Sequence, residues 1–414
     1  MIANSDSIFN ETFSLSLSIK ICANLDLTLL MNFATETTSE LIRLHNEIER
    51  GTRIISLGGL TSIASKAFIL SNLQSETGKT FVVVTDSNKE TETWEGDLSF
   101  WNEATTRQSD DATKSLGFSV SLSLRLLTLP SFESDIYANI SPHAETLEQR
   151  ALTLWKLTHS QPDFLILSAK SLITKTLTPN TIKKLGAKLR RDEDFAPENL
   201  IEKLVAGGYV REEPLKNIGE FSVRGGILDV WSPTAENPVR IEFFGDTVDS
   251  IREFDAETQL SIRQLPEIAI APMREFTAVS QDFNDWAFFA RERFADEKFK
   301  RALLDRTQFA EMGESFSGWE FLFPIVQPRD ANIFDFLPDC VFVIDEPSVV
   351  EQSLSSFYET LQSRFAEITE TGEIGLEPQE LFLSGEQLRE KFDKAKRIEL
   401  RALGRTAAKT DEEF

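Results

Sequence analysis

Cysteine is almost missing from this chain. Cys22 and Cys340 are the only two among 414 residues, which excludes a disulfide framework and a thiolate-rich metal site and suits a reducing, cytoplasmic compartment. Histidine is as scarce. His45, His143 and His159 are the full set, and none has a second histidine at ligand spacing, so neither a zinc centre nor a serine–histidine triad is expected. No run of about 18 apolar residues occurs, and no membrane-spanning helix is expected. Positive charge is in deficit too: 43 lysines and arginines face 67 acidic residues, a formal net charge of −24. That balance argues against a protein that coats nucleic acid with most of its surface, while leaving room for a local basic patch. Nothing calls for a cofactor or a metal.

What is present is the periodicity of an α/β protein, with a length that suggests about three domains. Residues 37–50 carry a capping-box pattern from Thr37 to Glu40, an apolar face of Leu41, Leu44 and Ile48, and Gly51 as a stop, which together predict a helix. The runs at 53–57 and 80–85 (TFVVVT) are continuous and apolar, as in strands buried on both faces of a parallel sheet. The helical stretch 62–73 between them completes a βαβ unit. A further strand is predicted at 163–168 (DFLILS), helical pattern over 178–209 and 282–310, and a buried strand at 341–344 that ends in Asp345-Glu346-Pro347. Residues 389–409 hold eight Lys or Arg against three acids. Such a run reads as a solvated helix face or linker before it reads as a phosphate-contacting patch.

The most informative stretch is 221–254, FSVRGGILDVWSPTAENPVRIEFFGDTVDSIREF. It reads as three short strands. Val239, Ile241 and Phe243 alternate with Arg240, Glu242 and Phe244, so at period two the arginine and the second phenylalanine share a face. Turn residues occupy 234–238 and 245–246. Gly225-Gly226 after Arg224 suggests a bulge or a close backbone approach. An aromatic among charged neighbours, beside arginine, has the chemistry of a protein-binding hot spot; an ordinary solvated sheet face is the bland alternative.

The same residues resemble a known family. RGGILDVWSP, then VRIEFFGD and IREFDAETQLSI, is similar to the UvrA-binding domain shared by the excision-repair helicase UvrB and the bacterial transcription-repair coupling factor (Mfd). The resemblance implies UvrA as the partner and, carried over by position, Arg224, Arg240 and Phe244 as the contact. It also implies where a phosphate loop would lie, at 58–67 between the first strand and first helix. A working loop needs glycines that let backbone N–H groups converge on phosphate, then lysine, then a hydroxyl for magnesium. Counting back from Lys66, the two glycine positions hold Leu60 and Ser65, and the hydroxyl position holds Ala67, although Gly59 is nearby. Only the lysine remains. Asp345 and Glu346, at the end of VFVIDEP, stand where carboxylates would hold magnesium; without a phosphate cradle they read as closing a strand.

UvrB keeps an intact loop and a tyrosine-rich DNA clamp, whereas Tyr137, Tyr209 and Tyr358 here are dispersed. The resemblance therefore favours the N-terminal UvrB-like module of the coupling factor, truncated before the polymerase-binding and translocase domains. The stretch 129–157, with Glu133, Tyr137 and His143, looks similar to that module too, His143 as a hydrogen bonder at a helix entry. The expected fold is α/β: a degenerate P-loop, helicase-type domain in two segments, 35–178 and 276–372, with an α+β UvrA-binding domain inserted at 179–275. Residues 1–34 are expected to be an extension without structure, and 373–414 a linker and basic tail. The expected function is a non-catalytic, cytoplasmic bacterial adaptor of transcription-coupled excision repair, with no membrane partner. DNA contact is expected to be weak or indirect, and no RNA polymerase contact is expected from this chain alone. The alternatives are a divergent DNA-dependent ATPase or helicase half, and a nucleic-acid-binding accessory using the basic tail.

Overall fold

The computed structural model describes residues 13–16, 34–113 and 125–402. Strands, numbered in chain order, begin with β1 (Phe13–Ser16), β2 (Ile54–Gly58), β3 (Thr80–Thr85), β4 (Leu126–Leu129) and β5 (Phe164–Ser168). A second group follows: β6 (Ala187–Arg190), β7 (Val210–Arg211), β8 (Glu220–Arg224), β9 (Ile227–Val230), β10 (Val239–Phe244), β11 (Thr247–Phe254), β12 (Ser261–Gln264) and β13 (Glu267–Ile270). The chain then returns to β14 (Cys340–Asp345) and β15 (Lys396–Arg401). β1 to β5 join β14 and β15 in one seven-stranded sheet, ordered β1-β2-β15-β14-β3-β5-β4, and every pairing in it is parallel.

β2, β3, β5 and β14 are buried at every position, the state that their continuous apolar runs predict. Alternate residues serve opposite faces. Val82, Val84, Leu165, Leu167 and Phe342 enter one core, while Phe81, Val83, Phe164, Ile166, Val343, Ile398 and Leu400 enter the other. Each such side chain contributes about 1.5–3 kcal/mol by leaving water. The helix Ile63–Thr77 closes the βαβ unit. The Ser65 N–H donates to the side chain of its N-cap Ser62, and Gly78, in left-handed backbone, ends it.

The inserted domain has one covered face and one open face. β7 to β12 form a six-stranded sheet ordered β12-β11-β10-β9-β8-β7, and β6 pairs with β13 in a separate ribbon. Leu200 and Leu204 of the helix Pro197–Ala206 pack with Phe221, Leu228, Val230, Val239, Ile241, Val248 and Ile251. The other face of the sheet has no such cover among the described residues.

Five expectations are corrected. The region 178–209 is not helical throughout, because Ala187 and Leu189 alternate with Lys188 and Arg190 to make β6 between two helices. The stretch 221–254 yields four strands rather than three, since Gly225-Gly226 turns the chain between β8 and β9. Within 373–414, the described residues 373–402 are not a linker. β15 lies inside the large sheet between β2 and β14, with Ile398 and Leu400 fully buried. Two of the charges that suggested a tail are taken up inside the sheet: Glu399 accepts from Arg397 at 3.1 Å and from Arg401 at 2.9 Å. Within the expected extension, Phe13–Ser16 lie parallel to β2, Phe13 opposite Ile55. β2 would otherwise present a row of unpaired backbone groups there. The rest of 1–33, and 403–414, lie outside the described residues. His143 stands at the N-cap of the helix Ala144–Leu157, yet its ring makes no capping hydrogen bond.

The insert is tied to the body by a buried charge cluster. Arg150 Nε and Nη2 donate to the two oxygens of Glu275 at 3.1 and 3.2 Å, and both side chains are 1% exposed. Thr176 Oγ1 donates to the same carboxylate at 2.9 Å, and Arg150 Nη1 donates to the Pro130 carbonyl at 2.7 Å. Burial pushes the Glu275 pKa up, but Arg150 and Arg329 more than offset it and hold it below its ordinary 4.5. A carboxylate held low adds stability above its unfolded value and loses it as pH falls through the lower folded value. Stability should therefore decline as acid is added below about pH 4.5. Glu275→Gln should be destabilised already at pH 7, with a shallower acid limb, in denaturant titrations at a series of pH values.

Candidate functional site

Register fixes the outer face of the inserted sheet. Along one row, Asp229 of β9 is opposite Ser222 of β8 and Arg240 of β10, and Arg240 is opposite Arg252 of β11. Along the next row, Ile227 of β9 is opposite Arg224 and Glu242. Phe244 ends β10 opposite Thr247. Strand spacing puts Arg224 about 10 Å across the sheet from β10, and Phe244 about 13 Å along β10 from Arg240. The three residues singled out from the sequence thus share one face and one small footprint.

Their states differ. Phe244 is 84% exposed, which is unusual for a phenylalanine in a strand and has the form of an unfilled anchor. Its backbone is held firmly. Gly245 turns the chain with φ +63°, and the loop after β6 grips the hairpin tip: Phe195 N–H donates to the Asp246 carbonyl at 2.7 Å, and Thr247 Oγ1 donates to Asp194 at 2.7 Å. Arg240 is not free. Its Nε and Nη2 donate to Asp229 at 2.7 and 2.8 Å, and Nη2 also reaches Gln259 at 3.1 Å. The guanidinium lies over the Phe254 ring, 4.6 Å from its centroid. The carboxylate hydrogen bonds, outweighing partial burial, raise the Arg240 pKa further. Arg224 is exposed and sits 2.7 Å from Glu213, itself exposed. Gly226 packs so closely that an added Cβ would lie 2.9 Å from the Phe243 carbonyl, so the suggested close approach is present at a turn.

Sequence reasoning missed Asp229, Glu213, Gln259 and the 192–195 clamp. Only Asp229 left a signal. As an acid alternating with buried Leu228 and Val230, it belongs on the face that Arg240 occupies one strand away.

Residues 58–67, where a degenerate phosphate loop was expected, are closed by internal contacts. Lys66 is 4% exposed and donates to Asp345 at 2.6 Å and Glu346 at 2.8 Å. Trp94, fully buried, donates its indole N–H to the other Asp345 oxygen at 2.8 Å. Glu346, in left-handed backbone at φ +47°, also accepts from the Ala402 N–H at 2.7 Å. Leu60 and Ala67 are buried, Ser65 bonds Ser62 at 2.6 Å rather than facing a cradle, and Gly59 donates to the Arg401 carbonyl at 3.0 Å. Asp345 and Glu346 therefore do more than close a strand: both pair with the buried Lys66. The described residues hold no cluster of His, Cys, Asp and Glu able to bind a metal ion, and no helix among them is long and apolar enough to cross a membrane.

Residues 187–276 match the UvrB interaction domain family. A parallel α/β body interrupted by a UvrB interaction domain is the class of protein that this fold defines. More particularly, the chain is similar to the transcription-repair-coupling factors. It is 31% identical to that of Myxococcus xanthus over 287 residues, 67% of this chain and 24% of that protein. It is 25% identical to that of Haemophilus influenzae over 274 residues, 66% and 24% of the two, and 30% identical to that of Rickettsia conorii over 237 residues, 55% and 21%. The chain matches about a quarter of the length of these relatives.

Removing one member of a buried ion pair strands the other, at a cost of about 3–5 kcal/mol. Lys66→Ala should lose stability of that order in denaturant melts. Lys66→Met combined with Asp345→Asn and Glu346→Gln should recover much of it.

Proposed function

We propose that this chain is a non-catalytic adaptor module of transcription-coupled nucleotide excision repair in the bacterial cytoplasm, which binds UvrA through the open face of its inserted domain. The carrying observation is Phe244, a large apolar side chain left in water at the tip of a clamped hairpin, with Arg240 and Arg224 on the same face. The match of 187–276 to the UvrB interaction domain family supports UvrA as the partner. The closed Lys66 site supports the non-catalytic part: a phosphate would have to displace two carboxylates from a buried lysine. The burial of Arg397 and Glu399 in β15 weakens the reading of a nucleic-acid accessory built on a basic tail. On this reading the chain reaches DNA only weakly or through UvrA, and has no contact of its own with RNA polymerase.

Phe244→Ala is the clean test. A hot-spot truncation costs about 2 kcal/mol or more, roughly a 30-fold loss of affinity, whereas an exposed side chain leaves stability within about 0.5 kcal/mol. Calorimetric titration of UvrA should show that loss with an unchanged melting temperature; undiminished binding would refute the assignment. Arg240→Ala is less clean, because it leaves buried Asp229 unpaired and so perturbs the fold as well as the surface.

The divergent ATPase reading makes an opposite prediction. Millimolar ATP with magnesium should leave the melting temperature where it is if the site is closed. A rise of several degrees that Lys66→Ala abolishes would restore the ATPase.

A further inference from the structure

The two arginines of the docking face are held by carboxylates of opposite kinds. Asp229 is 7% exposed at its side chain and grips Arg240 from below the sheet surface with two parallel hydrogen bonds. A guanidinium has five N–H groups in a rigid plane. Nε and Nη2 are directed at Asp229 and Gln259, and the Phe254 ring supports one face of the plane. Among the described residues no acceptor takes Nη1, and 23% of the side chain stays exposed. Arg240 is therefore fixed before any partner arrives, with one edge turned out. Arg224 has no such support. Its side chain and that of Glu213 are 56% and 54% exposed, so their pair is a water-screened one of the kind that adds little stability.

Resting on the docking reading above, we propose that Asp229 is a positioning residue that orients Arg240 toward an acceptor on the partner, a carboxylate or a backbone carbonyl. Glu213, in contrast, is an internal counter-ion that the partner displaces from Arg224. The face thus combines one preorganised donor with one donor that is occupied until binding.

Simple charge arguments predict otherwise. Neutralising either carboxylate makes the surface more positive, so both changes would shift affinity for an acidic partner in the same direction. The proposal gives opposite signs. Glu213→Gln releases Arg224 and should tighten binding about two- to fivefold, the range that an exposed ion pair is worth. Asp229→Asn keeps the shape but loses half of the bidentate grip, and should weaken binding about tenfold, as loss of a charge-assisted hydrogen bond does.

The experiment is titration of UvrA against the full chain and its variants, with melting temperatures recorded for each. Asp229 must also be shown to act through Arg240. Adding Asp229→Asn to Arg240→Met should change Kd less than twofold beyond Arg240→Met alone, whereas a purely structural role would weaken both backgrounds alike. Shifts in the same direction for Glu213→Gln and Asp229→Asn, or equal losses in both backgrounds, overturn the proposal. Should Asp229→Asn fail to fold, Glu213→Gln still decides the Arg224 half, and unchanged or weaker binding there overturns it. Failure of the docking reading is separable: it appears as undiminished binding by Phe244→Ala, whatever these variants do.

Discussion

The arrangement of this protein turns on the ion pair between Arg150 and Glu275, both withdrawn almost wholly from water. Arg150 comes from the helix Ala144–Leu157 of the first α/β segment, and Glu275 from the point where the chain leaves the inserted domain. Thr176 and the Pro130 carbonyl complete the hydrogen bonding. A buried charge is tolerated only when its partners are in place. The cluster therefore penalises any seating of the insert that moves Glu275 away. Around it, Arg329 is fully enclosed and its pKa is brought down to about 10 by burial, and Glu320, also desolvated, is pushed up.

The body that this joint supports is a parallel sheet, and at 58–67 its own side chains meet those at the end of β14. Lys66, Asp345, Glu346 and Trp94 satisfy one another. Leu60 and Ala67, at positions where a phosphate loop would need a glycine and a hydroxyl, are buried. The position has become a fastening: Glu346 links the loop lysine to the Ala402 N–H just beyond the central strand β15. The inserted domain takes the opposite course. Its sheet covers one face with the helix Pro197–Ala206 and leaves the other open, where ion pairs hold the polar side chains and Phe244 stays in water.

By itself the sequence determined the alternation and the chemistry. Continuous apolar runs marked the strands buried on both faces, since a parallel sheet leaves no polar side to alternate with. Period two placed Arg240 and Phe244 on one face, and the residues at 58–67 showed that three phosphate-loop requirements were missing. Tertiary structure alone decided what those residues touch. The basic character of 389–409 suggested a tail because a sequence pattern registers charge, not its neutralisation; Glu399 takes up Arg397 and Arg401 in the middle of a sheet. The strand β6 escaped notice because its partner β13 lies some 80 residues on. The grip of Asp229 on Arg240, and the looser pairing of Glu213 with Arg224, depend on cross-strand register and on the path of a loop. Those are long-range distances, and residue order along a chain does not contain them.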